Sequence, residues 1–391
     1  MRRVAVLGTG HSKFCFNSPK TSVELLAEVS MDAIREANLV PQDIQAINVG
    51  NVLGDFEEGQ GMVQSFLAND IGCFGVPASR FEGACASGSM AVRDAVMWVA
   101  SGYYDIMLVG GVEKCTAMNP ALATRTFAMF GDARYEYPAG FTFPAVFALI
   151  AHLYASNHNI PLDSLKEQMA AVSVQSHEYA AKNPHAQFQK PITREDVLKS
   201  MMISTPLQLH DACPFSDGAA AIVVASEEIA KKLTNKPVYF AGIGQASSGK
   251  IGAQKKWLPY LHARDLASQQ SYSMAKMTPQ DIHICELHDC FSIASIIAAE
   301  SLGFFEYGKA GYAWLDGETR IGGKIPINIS GGLKAKGHPI GATGVSQVVE
   351  VTRQLREDMA EQGRQVEGAQ NGIIDTLGGD GVIVSLIMTN R

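Results

Sequence analysis

Charge is scarce in this chain. Asp, Glu, Lys and Arg make up 18% of its 391 residues, against roughly 25% in an average soluble domain. A large core, a large subunit interface, or both are therefore expected. A basic excess is also missing: 32 Lys and Arg face 39 Asp and Glu, for a net charge of -7, which argues against a nucleic-acid partner. No run of 18 apolar residues occurs, so no membrane-spanning helix is expected. The seven cysteines are odd in number and scattered, which fits a reducing compartment better than a disulfide framework. The start Met1-Arg2-Arg3 leads into no signal-peptide apolar region, and Thr389-Asn390-Arg391 is no peroxisomal tripeptide, so the expected location is the cytoplasm. No Walker A motif is present. Gly8-Thr9-Gly10 lacks the third glycine of a dinucleotide fingerprint, Lys13 standing in its place, so NAD is not expected.

What the chain does have is an internal repeat. Val4 to Gly10 and Val238 to Gly244 both read as apolar strands ending in glycine turns. Pro41-Gln42-Asp43-Ile44 returns as Pro279-Gln280-Asp281-Ile282, and the helical stretch from Gly88 has a counterpart from Gly344. Asp217-Gly218 before an apolar run matches Asp380-Gly381 before another. The offset between the copies drops from 256 to 163 residues, so the first copy holds 93 residues that the second lacks. Two α/β halves follow: residues 1–113 with 207–230, and residues 231–391, with an inserted loop or substrate-binding domain at 114–206. Alternating strands and helices predict mostly parallel sheets covered by helices, stacked as an α/β/α/β/α body.

Three clusters could carry chemistry. Cys85 lies among small residues, Gly83-Ala84-Cys85-Ala86-Ser87-Gly88, after an apolar strand and before a helix. A helix N-terminus favours a thiolate; a buried small hydrophobe is the competing reading. His338 lies in Gly337-His338-Pro339-Ile340-Gly341-Ala342-Thr343-Gly344, an irregular turn before the helix that repeats the one after Cys85. If the halves are related by a pseudo-twofold axis, the two helix starts face each other and histidine becomes the base for the thiol. The third cluster is Cys285-Glu286-Leu287-His288-Asp289-Cys290-Phe291 at the end of an apolar strand. Cys285 and Cys290 have loose zinc-ligand spacing, but no second ligand pair accompanies them, and no metal is expected. Cys285 falls roughly 16 Å from Cys290 on an extended strand. The other histidines, among them His152, His158 and His177, belong to no constellation.

Taken together, the Cys-Ala-Ser-Gly block at Cys85, the GHPIGATG block at His338, the duplicated halves and the terminal glycine cluster resemble the thiolase superfamily over essentially the whole chain. Most thiolases carry Asn-Glu-Ala-Phe where this chain has His288-Asp289-Cys290-Phe291. That variant resembles the sterol-carrier-protein-type thiolases and their prokaryotic relatives. Most thiolases also place a second catalytic cysteine where Thr376 stands here, before Leu377-Gly378-Gly379.

The resemblance implies thiolytic cleavage of a 3-ketoacyl-CoA, or the reverse Claisen condensation, through an acyl-cysteine. Cys85 is then the nucleophile, His338 its base and Cys290 the acid that replaces the missing thiol. His338 and a water held by His288 would cradle the thioester oxygen. The backbone N–H groups of Cys85 and Gly378 would cradle the acyl-enzyme oxygen. Coenzyme A enters as a substrate and no cofactor is bound. The resemblance further implies a homodimer and a small zinc-ribbon and OB-fold partner protein. A ketoacyl synthase or a retro-aldol acyl-CoA lyase of the same superfamily is the alternative. The insertion is rich in aromatics, from Phe127 and Phe130 through Tyr135, Tyr137, Phe141 and Phe143 to Phe147, which fits a core, a dimer contact or a pocket for a bulky or aromatic acyl group. Arg125, Phe130, Phe143, Ser247 and Lys255 are the expected substrate contacts, with Arg125 and Arg134 positioned for phosphate or carboxylate.

Overall fold

The computed structural model describes residues 2–379 and 381–391; Asp380, one half of the repeated Asp-Gly pair, lies outside the described residues. The strands are β1 (Val4–His11), β2 (Ala46–Gly50), β3 (Ala78–Phe81), β4 (Ile106–Glu113), β5 (Met202–Ser204), β6 (Leu207–Gln208), β7 (Gly218–Ser226), β8 (Val238–Ser247), β9 (Ile284–Leu287), β10 (Asn371–Gly378) and β11 (Val382–Thr389). Nine of them form one sheet in the order β3-β2-β4-β7-β1-β8-β11-β10-β9. The order reads the same from both ends: β1 answers to β8, β7 to β11, β4 to β10 and β2 to β9. Even the outermost position has an echo, a single bridge from Cys285 to Ile327 where β3 would have its counterpart.

The two halves join through a short antiparallel contact, Ala5 with Tyr239 and Val6 with Val238. The sheet is mixed rather than mostly parallel. β2 pairs in parallel with β3 and β4, and β9 with β10. The remaining pairings are antiparallel. Connection length decides this: β10 ends at Gly378 and β11 begins at Val382, and a hairpin that short can only return antiparallel.

The repeated glycines have a packing role. A Cβ on Gly8 would sit 1.9 Å from the Ala33 carbonyl oxygen, and one on Gly10 equally close to that of Val29. Helix Ser22–Glu36, begun by a Thr21/Glu24 capping box, therefore lies directly on β1. Gly242 and Gly244 bring helix His262–Ala275 onto β8 in the same way, with 2.1 and 2.0 Å clearances at Ser271 and Ala267. These glycines serve helix-on-strand approach rather than a phosphate.

Between the halves lie helices Ser87–Ser101 and Ile340–Leu355, whose Val92, Val96, Val99, Val345, Val348 and Val349 share one core with inward residues of both halves. Helix, the first half's strands, the central helix pair, the second half's strands and helix give the layered α/β/α/β/α plan, the two strand layers being continuous through the β1–β8 contact. The excursion leaves after Glu113 and returns at Gly218, and it includes the small β5-β6 hairpin. Helices Phe143–Asn157 and Leu162–Ala180 within it pack on the second half's core. Among the described residues no helix is long and apolar enough to cross a membrane.

Candidate active site

Cys85 is aimed by a strained residue. Ala84 before it has φ 49°, a left-handed conformation that costs a non-glycine residue roughly 1–3 kcal/mol. Hydrogen bonds at both ends hold it: the Ala84 amide donates to Glu82 Oε1 at 2.8 Å, and the Ser87 hydroxyl donates to the Ala84 carbonyl at 2.6 Å. The amides of Cys85 itself and of Gly379 are directed at the Cys85 sulfur. The donor beside Cys85 from this segment is therefore Gly379, one residue past the expected Gly378, which ends β10. A Cβ on Gly378 would lie 2.0 Å from the Gly83 carbonyl oxygen, so only glycine lets this strand end reach the Cys85 turn.

His338 comes from the other half, and its Nε2 lies 3.2 Å from Cys85 Sγ. Its Nδ1 is 2.7 Å from the Thr343 hydroxyl, which in turn donates to the Pro339 carbonyl oxygen. That oxygen takes the hydroxyl proton, so the hydroxyl oxygen accepts from Nδ1–H and Nε2 is left without a proton, facing Cys85 Sγ. The His338 amide donates to Ser216 Oγ at 2.9 Å. Burial pushes the Cys85 thiol up and the His338 imidazole down to about 3. Both directions favour neutral thiol and neutral imidazole over the helix-stabilised thiolate that the N-terminal position suggests.

His288 meets His338 edge to face, ring centroids 5.1 Å apart at 80°. It is buried, and its Nδ1 has no hydrogen-bond partner. A buried ring nitrogen left open is costly unless a water or substrate atom fills it. Cys290, two residues on, faces both Cys85 and Cys213, and burial and these two thiols push its own thiol up. Cys285 lies on β9 beside Asp375, Glu286 and Arg264, so Cys285 and Cys290 do not form a ligand pair. The Cys85 sulfur and ring nitrogens of His288 and His338 do lie within 4.8 Å of one another. Among the described residues these three atoms have no fourth protein ligand beside them, one short of a closed zinc site.

Thr376 is buried but committed. Its hydroxyl is 2.6 Å from Ser89 Oγ and donates to Gln347 Oε1 at 2.7 Å. Phe130 is half-buried against the Cys85 cluster, and Phe143 lies 6.5 Å away from it, ring to ring. The aromatic wall continues through Phe127 onto Phe215 and through Phe147, stacked at 4.7 Å on Phe291 next to Cys290. Arg125, Ser247 and Lys255 are exposed and not drawn into this cluster.

Three contributors escaped sequence reasoning. Cys213 enters the thiol cluster because its amide donates to the Cys290 carbonyl at 2.9 Å; burial pushes its thiol up to about 12. Glu113, at the end of β4, accepts from the amides of Val52, Leu53 and Gly341 and from Asn51 Nδ2. Lys334 is buried close to Cys213 and Cys290. An acid ending an otherwise apolar strand was the available signal for Glu113; Cys213 and Lys334 gave none.

Comparison with known proteins identifies the family. Two family models, "Thiolase, N-terminal domain" and "Thiolase C-terminal domain-like", match residues 9–228 and 244–388. An acetyl-CoA acetyltransferase of Methanothermobacter thermautotrophicus is 41% identical, covering 100% of both chains. Sterol carrier protein 2 of Homo sapiens is 30% identical over 99% of this chain and 72% of its own. Among solved structures, "Ltp2-ChsH2(DUF35) aldolase" superposes with a TM-score of 0.84 at 25% identity, covering 100% of this chain and 98% of that one. With one family model alone covering more than half its length, and with the cysteine and histidine of its two halves in contact, the chain belongs to the thiolase family.

Proposed function

We propose that the protein is a CoA-dependent acyltransferase that cleaves a 3-ketoacyl-CoA to acyl-CoA and acetyl-CoA, or runs the reverse condensation, through an acyl group on Cys85. The observation that carries this reading is the 3.2 Å approach of His338 Nε2 to Cys85 Sγ, with the buried Cys290 thiol near Cys85. The Cys85 proton passes to His338 as sulfur attacks the keto carbonyl. The C–C bond then breaks, and its electron pair leaves on the α-carbon as an enolate. Cys290 gives that carbon its proton. Incoming CoA returns a proton to Cys290 as its sulfur attacks the acyl thioester, and Cys85 departs and recovers its proton from His338. The open Nδ1 of His288 and the His338 ring suit the enolate oxygen or a water beside it, and the amides near Cys85 suit the acyl oxygen. Gly379 stands in for the expected Gly378 as the second donor.

The aromatic wall of Phe127, Phe130 and Phe143 favours a bulky or aromatic acyl chain. Arg125, Ser247 and Lys255 are assigned to the outer CoA portion, which exposed residues can meet. The 114–206 excursion, extended to the β5-β6 hairpin, is the substrate-binding unit. The test is a series of 3-ketoacyl thioesters assayed for CoA-dependent cleavage, with mass spectrometry of the acyl-enzyme. Turnover without added CoA and without an acyl adduct on Cys85 would favour a retro-aldol lyase, the activity named in the aldolase neighbour.

We also infer a homodimer. β3 forms one edge of the sheet, pairing with β2, and Phe56, Met62, Phe66 and Phe74 nearby are exposed. An apolar edge of this kind invites strand pairing with a second copy. A DUF35-type partner, as named for the aldolase neighbour, is the expected second component. Light scattering of the purified chain reads the first inference, and activity with and without such a protein reads the second.

A further inference from the structure

Five lysines and arginines are buried among the described residues: Arg264, Lys334, Lys336, Arg356 and Arg364. Four have a carboxylate within 4.0 Å: Asp375, Glu286, Glu36 and Glu350 respectively for Arg264, Lys336, Arg356 and Arg364. Lys334 does not, and its Nζ has no hydrogen-bond partner. An uncompensated buried ammonium is among the costliest groups a fold can keep, so its location needs a reason.

Three distant segments create that location. Residues 332–336 form one widened helical turn of π type, a feature that often marks functional sites. The turn is pinned where the Leu333 amide donates to Asp289 Oδ1 at 2.7 Å. Asp289 directly precedes Cys290. The Cys290 carbonyl accepts from the Cys213 amide at 2.9 Å, and Ala212 bridges to Phe291. Lys334 therefore lies behind two neighbouring thiols. The groups facing it are Asp211, Asp289, Cys213, Cys290, His177 and His210. Asp211 is occupied by Ser292 Oγ and the Gln208 amide. His177 is held neutral, its imidazole pushed down to about 4 chiefly by burial. Burial opposes the ammonium form of Lys334, whereas Asp211 and Asp289 support it.

The geometry points to Lys334 as the counter-charge for one negative charge shared by the Cys213 and Cys290 thiols during turnover. This rests on the reading above, in which Cys290 gives its proton to the α-carbon and keeps the S–H electron pair. The resulting thiolate forms on a buried sulfur beside a second thiol, and Lys334 is the buried cation near it with no hydrogen-bond partner. The two thiols titrate as a pair, and their apparent values belong to the pair. Cys213 neighbours both the cation and the reacting sulfurs: Lys334 favours its thiolate form, and a charge on Cys213 opposes one on Cys85 or Cys290. Lys334 acts through the thiols and is a positioning residue.

The experiment follows exchange of acetyl-CoA methyl protons with deuterated water against pH, alongside acylation of Cys85 from a simple acyl-CoA. A nearby opposite charge lowers an acid's pKa by about 1–3 units. Lys334→Met should therefore move the rising limb of the exchange profile up by at least about one unit, a loss of roughly tenfold at neutral pH that is recovered at higher pH. Acylation should be unchanged, and Lys334→Arg should return the limb toward its original position. An unmoved limb, or an equal loss of acylation and exchange at every pH, overturns the proposal. Cys290→Ser separates the two readings: if it retains exchange, the Cys290 assignment itself fails, whereas if it loses exchange while Lys334→Met does not shift the limb, only the Lys334 role fails. Should Lys334→Met not fold, alkylation of the unaltered chain decides, followed peptide by peptide against pH. One thiol equivalent shared by Cys213 and Cys290 should react with a half-point clearly below that of Cys115, which is buried beside carboxylates. Equal half-points for the three cysteines overturn the assignment.

Discussion

The Gly341 amide donates to Glu113 Oε2 at 3.1 Å, so an acid at the end of a first-half strand grips the first turn of the second-half helix that follows His338. Gly341 is itself wedged in place: a Cβ there would lie 2.5 Å from the Gly50 carbonyl oxygen and 2.6 Å from that of Val112. The two halves that carry Cys85 and His338 are thus held in close contact at this point.

Glu113→Gln should loosen that contact. It turns acceptor oxygen toward donor nitrogen against backbone amides, at a stability cost of about 1–3 kcal/mol. Acylation of Cys85 should slow with little change in acyl-CoA affinity. Gly341→Ala should do the same through steric displacement. Chemical denaturation and pre-steady-state acylation read the two effects; wild-type acylation in both variants would show that the clamp does not set the pair.

Cys85→Ala should abolish acyl-enzyme formation and cleavage together. His338→Ala should slow acylation by about 10²–10⁴-fold, as the loss of a general base and an oxyanion donor does. Cys290→Ala should retain acylation by a simple acyl-CoA but lose thiolysis and methyl-proton exchange. A radiolabelled acyl group recovered on a cysteine other than Cys85 would refute these roles.

Thr376→Val should leave exchange intact. Its hydroxyl serves Ser89 and Gln347, so the loss should appear as stability, about 1–3 kcal/mol for polar groups left unpaired. Loss of exchange without loss of stability would move the acid from Cys290 to Thr376.

Acylation should be nearly flat from pH 8 to pH 5. The His338 imidazole is held down to about 3 by burial, so it remains a neutral base across that range, and Cys85 remains a thiol. The linkage has the matching sign. Relative to an unfolded histidine near 6.5, the neutral buried ring contributes stability above that pH, lost progressively as pH falls toward 3. An acylation midpoint near 6.5 would mean that His338 charges as an exposed histidine does.

The repeated motifs and the candidate residues Cys85, His338, His288 and Cys290 could be singled out in the sequence because each is written in contiguous residues. Strand runs, glycine pairs, Pro-Gln-Asp turns and glycine-bounded loops depend on backbone sterics that act over a few positions. The sheet's mixed sense was less legible, because it follows from connection lengths and from β7 and β11 entering between strands distant in sequence.

What the sequence by itself determined is the family, the set of candidate reactive groups and the repeated frame that presents them. The tertiary structure alone decided their state. Burial between two halves favours the neutral Cys85–His338 pair, ties Thr376 to Ser89 and Gln347, and draws Cys213, Glu113 and Lys334 into the site from separate segments. Proton affinity depends on the solvent excluded and the charges nearby in space, and local residue order encodes neither.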